Sequence, residues 1–269
     1  MANAFDFVMT EHAAWLPTDD GWQRVFVSPD GGRWLATVQG GTFKLDALRN
    51  EMTTPAHDVF TLSNNVADKA PELATALRGL GSVLRFRNAD LWDAISMAII
   101  RQVIRAGQSK KLYRAFCEAY GERITLPNGG TYALFPTPET VLSLSSEQFS
   151  SIGMAFKRRP LMAAAEAYRE QGAKWRELAP DTLIAELQTV PRIGPWTAHA
   201  AVADWSNDWS LYPYADLAVR TWAKRAAPSH DWPNDEPTFG QTWRALAGEH
   251  LCSLTLLTLA WGSQHGDIG

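Results

Sequence analysis

The amino-acid sequence predicts a mainly α-helical protein with a small α+β region on its N-terminal side. Two patterns carry that expectation. From Asn88 onward, apolar residues recur at the helical period of about 3.6, in segments joined by short connections. Before that point, short runs of β-branched and aromatic residues alternate with glycine turns. A chain of 269 residues with 46% hydrophobic and 11% aromatic side chains has enough apolar material for one large core or two modest ones. The expected division is an α+β domain over residues 1–86 and a helical domain over 87–269.

In chain order, Trp22–Val27 and Arg33–Gln39 flank the Pro29-Asp30-Gly31-Gly32 turn and read as a β-hairpin. Gly40-Gly41 turns the chain into a further strand at Thr42–Leu45, and Asp58–Leu62 adds another. A helix follows at Ala70–Leu77. Asp90–Ile104 opens on an Asn/Asp cap signal, and Leu91, Ile95, Ile99 and Val103 fall on one stripe. Ser109–Tyr120 ends at Gly121, which reads as a C-cap glycine. Leu126–Tyr132 reads as a loop. Helices are then expected at Thr137–Leu142, Ser146–Ser151, Arg159–Gln171, Asp181–Thr189, Pro195–Trp205, Leu217–Ala226, Phe239–Glu249 and Cys252–Trp261. No internal repeat or low-complexity stretch is present.

Composition excludes several classes. No basic start leads into an apolar segment, so no signal peptide is expected, and Leu251–Trp261 is too short to span a bilayer. Two cysteines, Cys117 and Cys252, supply neither a disulfide framework nor a four-cysteine cluster. A reduced, cytoplasmic protein is the simplest expectation. The net charge of −4 and pI near 5.9 speak against a nucleic-acid binder as a whole-chain statistic. The charge is unevenly spread, however. Arg101, Arg105, Lys110, Lys111, Arg114 and Arg123 lie close together, and Lys157, Arg158 and Arg159 form a second basic group. Each group reads either as a nucleic-acid contact or as a solvated face.

The most informative stretch is Leu187–Arg225. Pro191 ends one helix, Gly194 is expected to supply a left-handed turn, and Pro195 suits the first position of the next helix. Ala198, Ala200, Ala201 and Ala203 allow that second helix to pack closely on a neighbour. The amides of Gly194, Trp196 and Thr197 then point outward at a helix N-terminus, which is an anion and phosphate site. Asp216 follows Gly194 by 22 positions and stands at the mouth of Leu217–Lys224. It reads either as an N-cap or as a reactive carboxylate, and one does not exclude the other.

Hairpin, aspartate spacing and the FPTP run at Phe135–Pro138 resemble the helix-hairpin-helix DNA glycosylases, and within them the 3-methyladenine DNA glycosylase II group. Arg78–Ser96, the helix around Ile99–Val103, Gly121–Arg123 and Gly153–Arg158 (GMAFKR) sit in family order, so the likeness covers about Leu77–Gln264. It implies a helical glycosylase body, with the helix-hairpin-helix over about 181–205, behind a small N-terminal α+β domain. It also implies a monomer that binds duplex DNA containing damaged bases, with nucleoid association in a bacterium.

The resemblance assigns roles by position. Asp216 corresponds to the catalytic aspartate. Arg192, Gly194, Trp196 and Thr197 correspond to the phosphate-holding turn, with Lys157 and Arg158 as further DNA contacts. Gln102 and Val103 occupy the positions from which a side chain is inserted into the stack, although Val103 also fits the core stripe. Main-chain carbonyls of Gln188, Val190 and Ile193 correspond to a Na⁺ or K⁺ site, which Arg192 puts in question by standing where the family usually has glycine. Trp196, His199, Ala200, Leu217 and Trp261 fall at or near base-pocket positions, with Ala260 the strict match for the last. Bifunctional relatives place a lysine where this chain has Trp196, so a monofunctional enzyme without cofactor or iron–sulfur cluster is expected. Its substrates would be alkylated purines. The alternatives are a deaminated, oxidised or bulky lesion, or a non-catalytic DNA-binding protein.

Overall fold

The computed structural model describes residues 5–28, 31–40, 42–49 and 53–266. Pro29, Asp30 and Gly41, on which the first two expected turns partly rest, lie outside the described residues. The strands and helices run β1 (Phe7–Val8), β2 (Leu16–Thr18), β3 (Gly21–Val27), β4 (Arg33–Gln39), β5 (Thr42–Arg49), β6 (His57–Phe60), α1 (Asn65–Lys69), α2 (Pro71–Arg78) and β7 (Val83–Phe86). There follow α3 (Leu91–Arg101), α4 (Ala106–Tyr120), β8 (Arg123–Thr125), β9 (Thr131–Ala133), α5 (Pro138–Ser143), α6 (Ser146–Ser151) and α7 (Arg158–Trp175). The chain ends with α8 (Pro180–Leu187), α9 (Pro195–Ser206), α10 (Leu217–Ala226), α11 (Glu236–Ala247) and α12 (Leu251–His265).

These elements sort into two compact units, both discontinuous in sequence. One comprises residues 1–11, 57–87 and 207–267; the other is formed mainly by 12–56 and 88–206. Each unit therefore takes chain from both sides of the boundary expected after Phe86. The reason is packing: the four-stranded sheet shares a core with the β8–β9 hairpin, which follows residue 88, while β6, α1 and α2 pack with the C-terminal helices.

In the larger unit, β2-β3-β4-β5 form an antiparallel sheet, with Val25 opposite Leu35 and Trp22 opposite Val38. Val25 and Leu35 pack on Ile124, Leu126 and Tyr132 of the β8–β9 hairpin. The expected Leu126–Tyr132 loop is the connection of that hairpin over 126–130, with Thr131 and Tyr132 in β9; the two flanking strands are too short to show a period. The hairpin's partner contact also explains Gly121. This residue follows α4 with φ of −79°, not left-handed, but a Cβ there would collide with the Leu134 carbonyl. A close approach, not a positive φ, selects glycine at that position.

Helix α3 is the axis of this unit. Asp90 caps it by accepting from the Trp92 N–H at 2.9 Å, and every residue from Leu91 to Ile100 is buried. The stripe expected from its sequence therefore understates it, because a helix covered on all sides is central, not amphipathic. The alanines of α9 are buried against it, as their spacing implies. Asn88 ties the pair together: its Nδ2 donates to Asp93 Oδ2 at 3.0 Å and to Asp204 Oδ2 at 2.8 Å. Tyr113 donates to the other Asp93 oxygen at 2.6 Å. The FPTP run belongs to this core: the Pro136 carbonyl accepts from Trp92 Nε1 at 2.8 Å, and Phe135 stacks on Tyr113.

In the smaller unit, β1-β7-β6 form a mixed sheet with β1 parallel and β6 antiparallel to β7. Helices α2, α10 and α12 pack together, and α11 joins α1 and α12. Asn207, at φ of 63°, turns the chain sharply. It accepts from Arg85 Nη1 at 2.6 Å and donates to Asp58 Oδ2 at 2.9 Å, which anchors the start of the connector leading to Asp216. Among the described residues, no helix is long and apolar enough to cross a membrane.

Candidate nucleic-acid interface and catalytic carboxylate

The expected site residues fall into both units. In the larger unit, α8 and α9 enclose the turn Gln188–Gly194. The Ile193 N–H donates to the Val190 carbonyl at 3.1 Å, and the Ala198 N–H donates to the Gly194 carbonyl at 3.1 Å as the first bond of α9. Pro195 is the first helical residue, as expected, and Gly194 precedes it. The left-handed position differs from the expectation. Arg192, not Gly194, has positive φ, at 70°. Arg192 therefore adopts the conformation that a glycine would favour, at some cost in backbone strain. No atom lies within 4 Å of the place where a Cβ on Gly194 would stand, so that glycine leaves open space over the turn.

The carbonyls of Gln188, Val190 and Ile193, the expected cation ligands, belong to this turn, in which Arg192 takes the left-handed position. The donor set is uncharged main-chain oxygen, which suits a hard monovalent ion. Thr197 is buried and Arg192 exposed. The Trp196 ring carries the Arg101 guanidinium 5.4 Å from its centroid. Ala200 is buried and His199 half-buried on the same helix.

The second group surrounds the end of α3. That helix stops at Arg101, three residues before the expected end, and Val103 leaves the core stripe altogether. It has φ of 61° and is fully exposed at 102%. A β-branched residue in the left-handed region is a backbone outlier held only by its surroundings. Gln102 Nε2 donates to the Arg192 carbonyl at 3.1 Å and to Thr197 Oγ1 at 2.8 Å. Its amide is therefore committed to the hairpin.

Lys157 corrects a second expectation. It is 2% exposed and cannot meet a phosphate. Its Nζ donates to the carbonyls of Ile99 at 2.9 Å and Gln102 at 2.6 Å, satisfying acceptors that a helix end leaves open. Burial pulls its pKa down from the ordinary 10.5 to about 8. The local cause is the end of α6. Gly153 at φ of 73°, with Gly153 N–H donating to Ser150 and Met154 N–H to Phe149, forms a Schellman cap that leads into a short 3-10 turn, Ala155–Lys157. The turn aims Lys157 inward and Phe156 outward. Phe156 is 56% exposed with its ring centroid 5.1 Å from the lysine nitrogen, a second exposed apolar group beside Val103's turn. Sequence reading missed Phe156; its only signal is an aromatic between a left-handed glycine and a basic pair.

Other basic residues are committed elsewhere. Arg114 donates to the carbonyls of Ala13 and Trp15 at 3.0 and 2.7 Å, and Arg123 pairs with Glu118 at 2.6 Å. Arg105, Lys111, Arg159 and Arg192 are exposed, and Arg158 is half-buried.

In the smaller unit, Asp216 heads α10 but makes no side-chain cap bond to it. Its own N–H donates to the Pro213 carbonyl at 2.8 Å, and its Oδ2 accepts from the Tyr212 hydroxyl at 2.8 Å. Tyr212 is buried and packs on Trp209 with centroids 5.2 Å apart. Asp208 fixes the preceding turn by accepting from the Ser210 N–H at 3.0 Å and its hydroxyl at 2.6 Å. The carboxylate is thus half-buried, oriented from one side and not used as a helix cap. Leu217 beside it is 66% exposed. Trp261 is half-buried and stacks on His265, with centroids 4.3 Å apart, whereas Ala260 is in the core.

No family model matches the chain. A DNA-3-methyladenine glycosylase of Bacillus subtilis (strain 168) is 27% identical over 184 residues, which is 64% of this chain and 59% of the relative. The matched stretch thus spans less than two thirds of that protein. Among solved structures, an 8-oxoguanine glycosylase/lyase of Clostridium acetobutylicum bound to duplex DNA with cytosine opposite 8-oxoG superposes with a TM-score of 0.72. It is 13% identical, with 96% of this chain and 90% of that one covered. A 3-methyladenine DNA glycosylase of Archaeoglobus fulgidus gives a TM-score of 0.70 at 16% identity, with 96% and 94% covered.

Proposed function

From a chain that has the fold of the helix-hairpin-helix DNA glycosylases, we propose a DNA glycosylase that hydrolyses the N-glycosidic bond of a damaged base in duplex DNA. Asp216 is its catalytic carboxylate. The observation that carries this reading is the state of that side chain: it stands at a helix mouth yet leaves the helix uncapped, and a buried tyrosine holds it instead.

Three demands of the reaction are met by residues of this chain. The turn at Gly194–Thr197 offers amides at a helix N-terminus to a backbone phosphate, and open space at Gly194 lets it approach. The carbonyls of Gln188, Val190 and Ile193 would hold a sodium or potassium ion, whose charge adds to the attraction for that phosphate. Val103, exposed at the end of α3, enters the gap left when the target nucleotide swings out, and Phe156 is a second apolar side chain for the same stack. Flipping costs a few kcal/mol of unstacking, which apolar insertion offsets in part.

Asp216 then stabilises the positive charge that grows on the sugar as the base departs, and orients or deprotonates the attacking water. Water's oxygen bonds to the anomeric carbon, the C–N bond breaks with its electron pair on the base, and an abasic site remains. Trp196 stands where a Schiff-base lysine would be needed, so the reading is monofunctional. Alkylated purines are the substrate class: their electron-poor rings stack favourably on an aromatic such as Trp196. Incubation with methylated duplex, followed by resolution of the strands with and without alkali, tests both points. Released 3-methyladenine with strand breaks only after alkali is expected. Breaks without alkali, trapped by borohydride on the protein, would overturn the monofunctional assignment.

A further inference from the structure

Two non-glycine residues of the larger unit sit in the left-handed region on either side of one side chain: Val103 at φ of 61° and Arg192 at φ of 70°. Gln102 joins them, since its backbone leads directly into Val103 and its amide donates to the Arg192 carbonyl and to Thr197 Oγ1. Lys157 closes the other side by donating to the Ile99 and Gln102 carbonyls. A solvated turn with this backbone would relax, because left-handed geometry is unfavourable for a residue with a Cβ. Here four directed hydrogen bonds hold it, two of them from a buried ammonium.

We propose that Gln102 and Lys157 are positioning residues that lock the Val103 turn to the helix-hairpin-helix turn, so that gripping a phosphate and inserting a side chain are one rigid act. The inference rests on the reading of Val103 as the inserted residue. Without the lock, phosphate binding at Arg192–Thr197 and insertion at Val103 would be independent events, each carrying its own ordering cost. With it, a phosphate seated on the hairpin fixes where Val103 stands. Gln102 acts through its two hairpin bonds and not as a stacking partner of the bases; Lys157 acts through main-chain carbonyls and not through DNA.

The test uses the full chain and a duplex carrying a tetrahydrofuran abasic analogue beside 2-aminopurine, whose fluorescence rises when it is unstacked. This readout needs no catalysis, so it separates failure of the lock from failure of the glycosylase reading, which base release reports. Wild type is expected to raise the fluorescence. V103A and Q102M are each expected to cut that rise several-fold, and the double variant to be no worse than either, as strongly coupled neighbours behave. K157R, which keeps donors for both carbonyls, is expected to retain the signal and K157M to lose it. Affinity of Q102M for undamaged duplex should fall much less than the fluorescence signal, because the hairpin's phosphate-facing amides remain in the chain. Multiplying losses in the double variant would overturn the proposal, as would Q102M at the wild-type signal. A fall in duplex affinity matching the fall in signal would mean that Gln102 merely supports the hairpin fold, and would overturn it too. No rise with wild type would remove the insertion reading and the lock together. Q102M carries the decision if K157M does not fold.

Discussion

The Tyr212 hydroxyl donates to Oδ2 of Asp216 at 2.8 Å, from a side chain that is itself 1% exposed. The bond spans four residues across Pro213, so the tyrosine fixes the carboxylate from within its own connector. Of its two oxygens, Oδ2 is the one the tyrosine holds. A hydrogen bond to a charged group contributes about 1.5–3 kcal/mol. Y212F should therefore lower kcat for base release by roughly tenfold or more, while duplex affinity is unchanged. Single-turnover release and a binding titration check this. Equal kcat in the variant would mean that the bond is only structural.

Gly194 separates binding from stability. Its φ is not left-handed and its Cβ direction is empty, so G194V should fold with a melting temperature close to wild type. Its isopropyl group would stand over the turn's amides. Duplex affinity should fall by about tenfold or more, alike for every sequence, because phosphates carry no sequence information. A loss restricted to particular sequences would show that the turn reads bases.

Lys157 gives stability a pH signature. Its folded pKa, about 8, lies below the ordinary 10.5 expected in the unfolded chain. Between those values the unfolded state binds more protons, so stability gains with rising pH across that window. Below about 8 the cost of burying the ammonium is fully present. Denaturant melts of wild type and K157M across this range should show their stability difference moving in favour of wild type as pH rises. A constant difference would contradict the assignment.

Much of this fold is legible in the sequence where local signals suffice. Asp90 as a cap, Pro195 at the first position of α9 and Leu217–Ala226 as α10 follow from capping and periodicity alone. Strands β1, β7, β8 and β9 were not legible, because they are two to four residues long and exist through pairing with distant chain. The discontinuous units escaped for the same reason. In the site, Asp216 and the hairpin were marked by spacing. Val103 was ambiguous because apolar periodicity continued past the point where Lys157 and Gln102 end the helix. In the sequence Gly194 reads as the left-handed residue, because glycine favours that conformation, whereas Arg192 takes the position. Lys157 read as a surface cation, because burial against carbonyls leaves no mark on a basic run.

The most direct measurement is release of methylated purines from duplex DNA by wild type beside D216N, with duplex binding measured on the same samples. The account predicts release by wild type and none above background by D216N, with both binding duplex alike. Release by D216N at the wild-type rate would contradict the assignment of Asp216, and bound but unreleased substrate with wild type would contradict excision of alkylated purines.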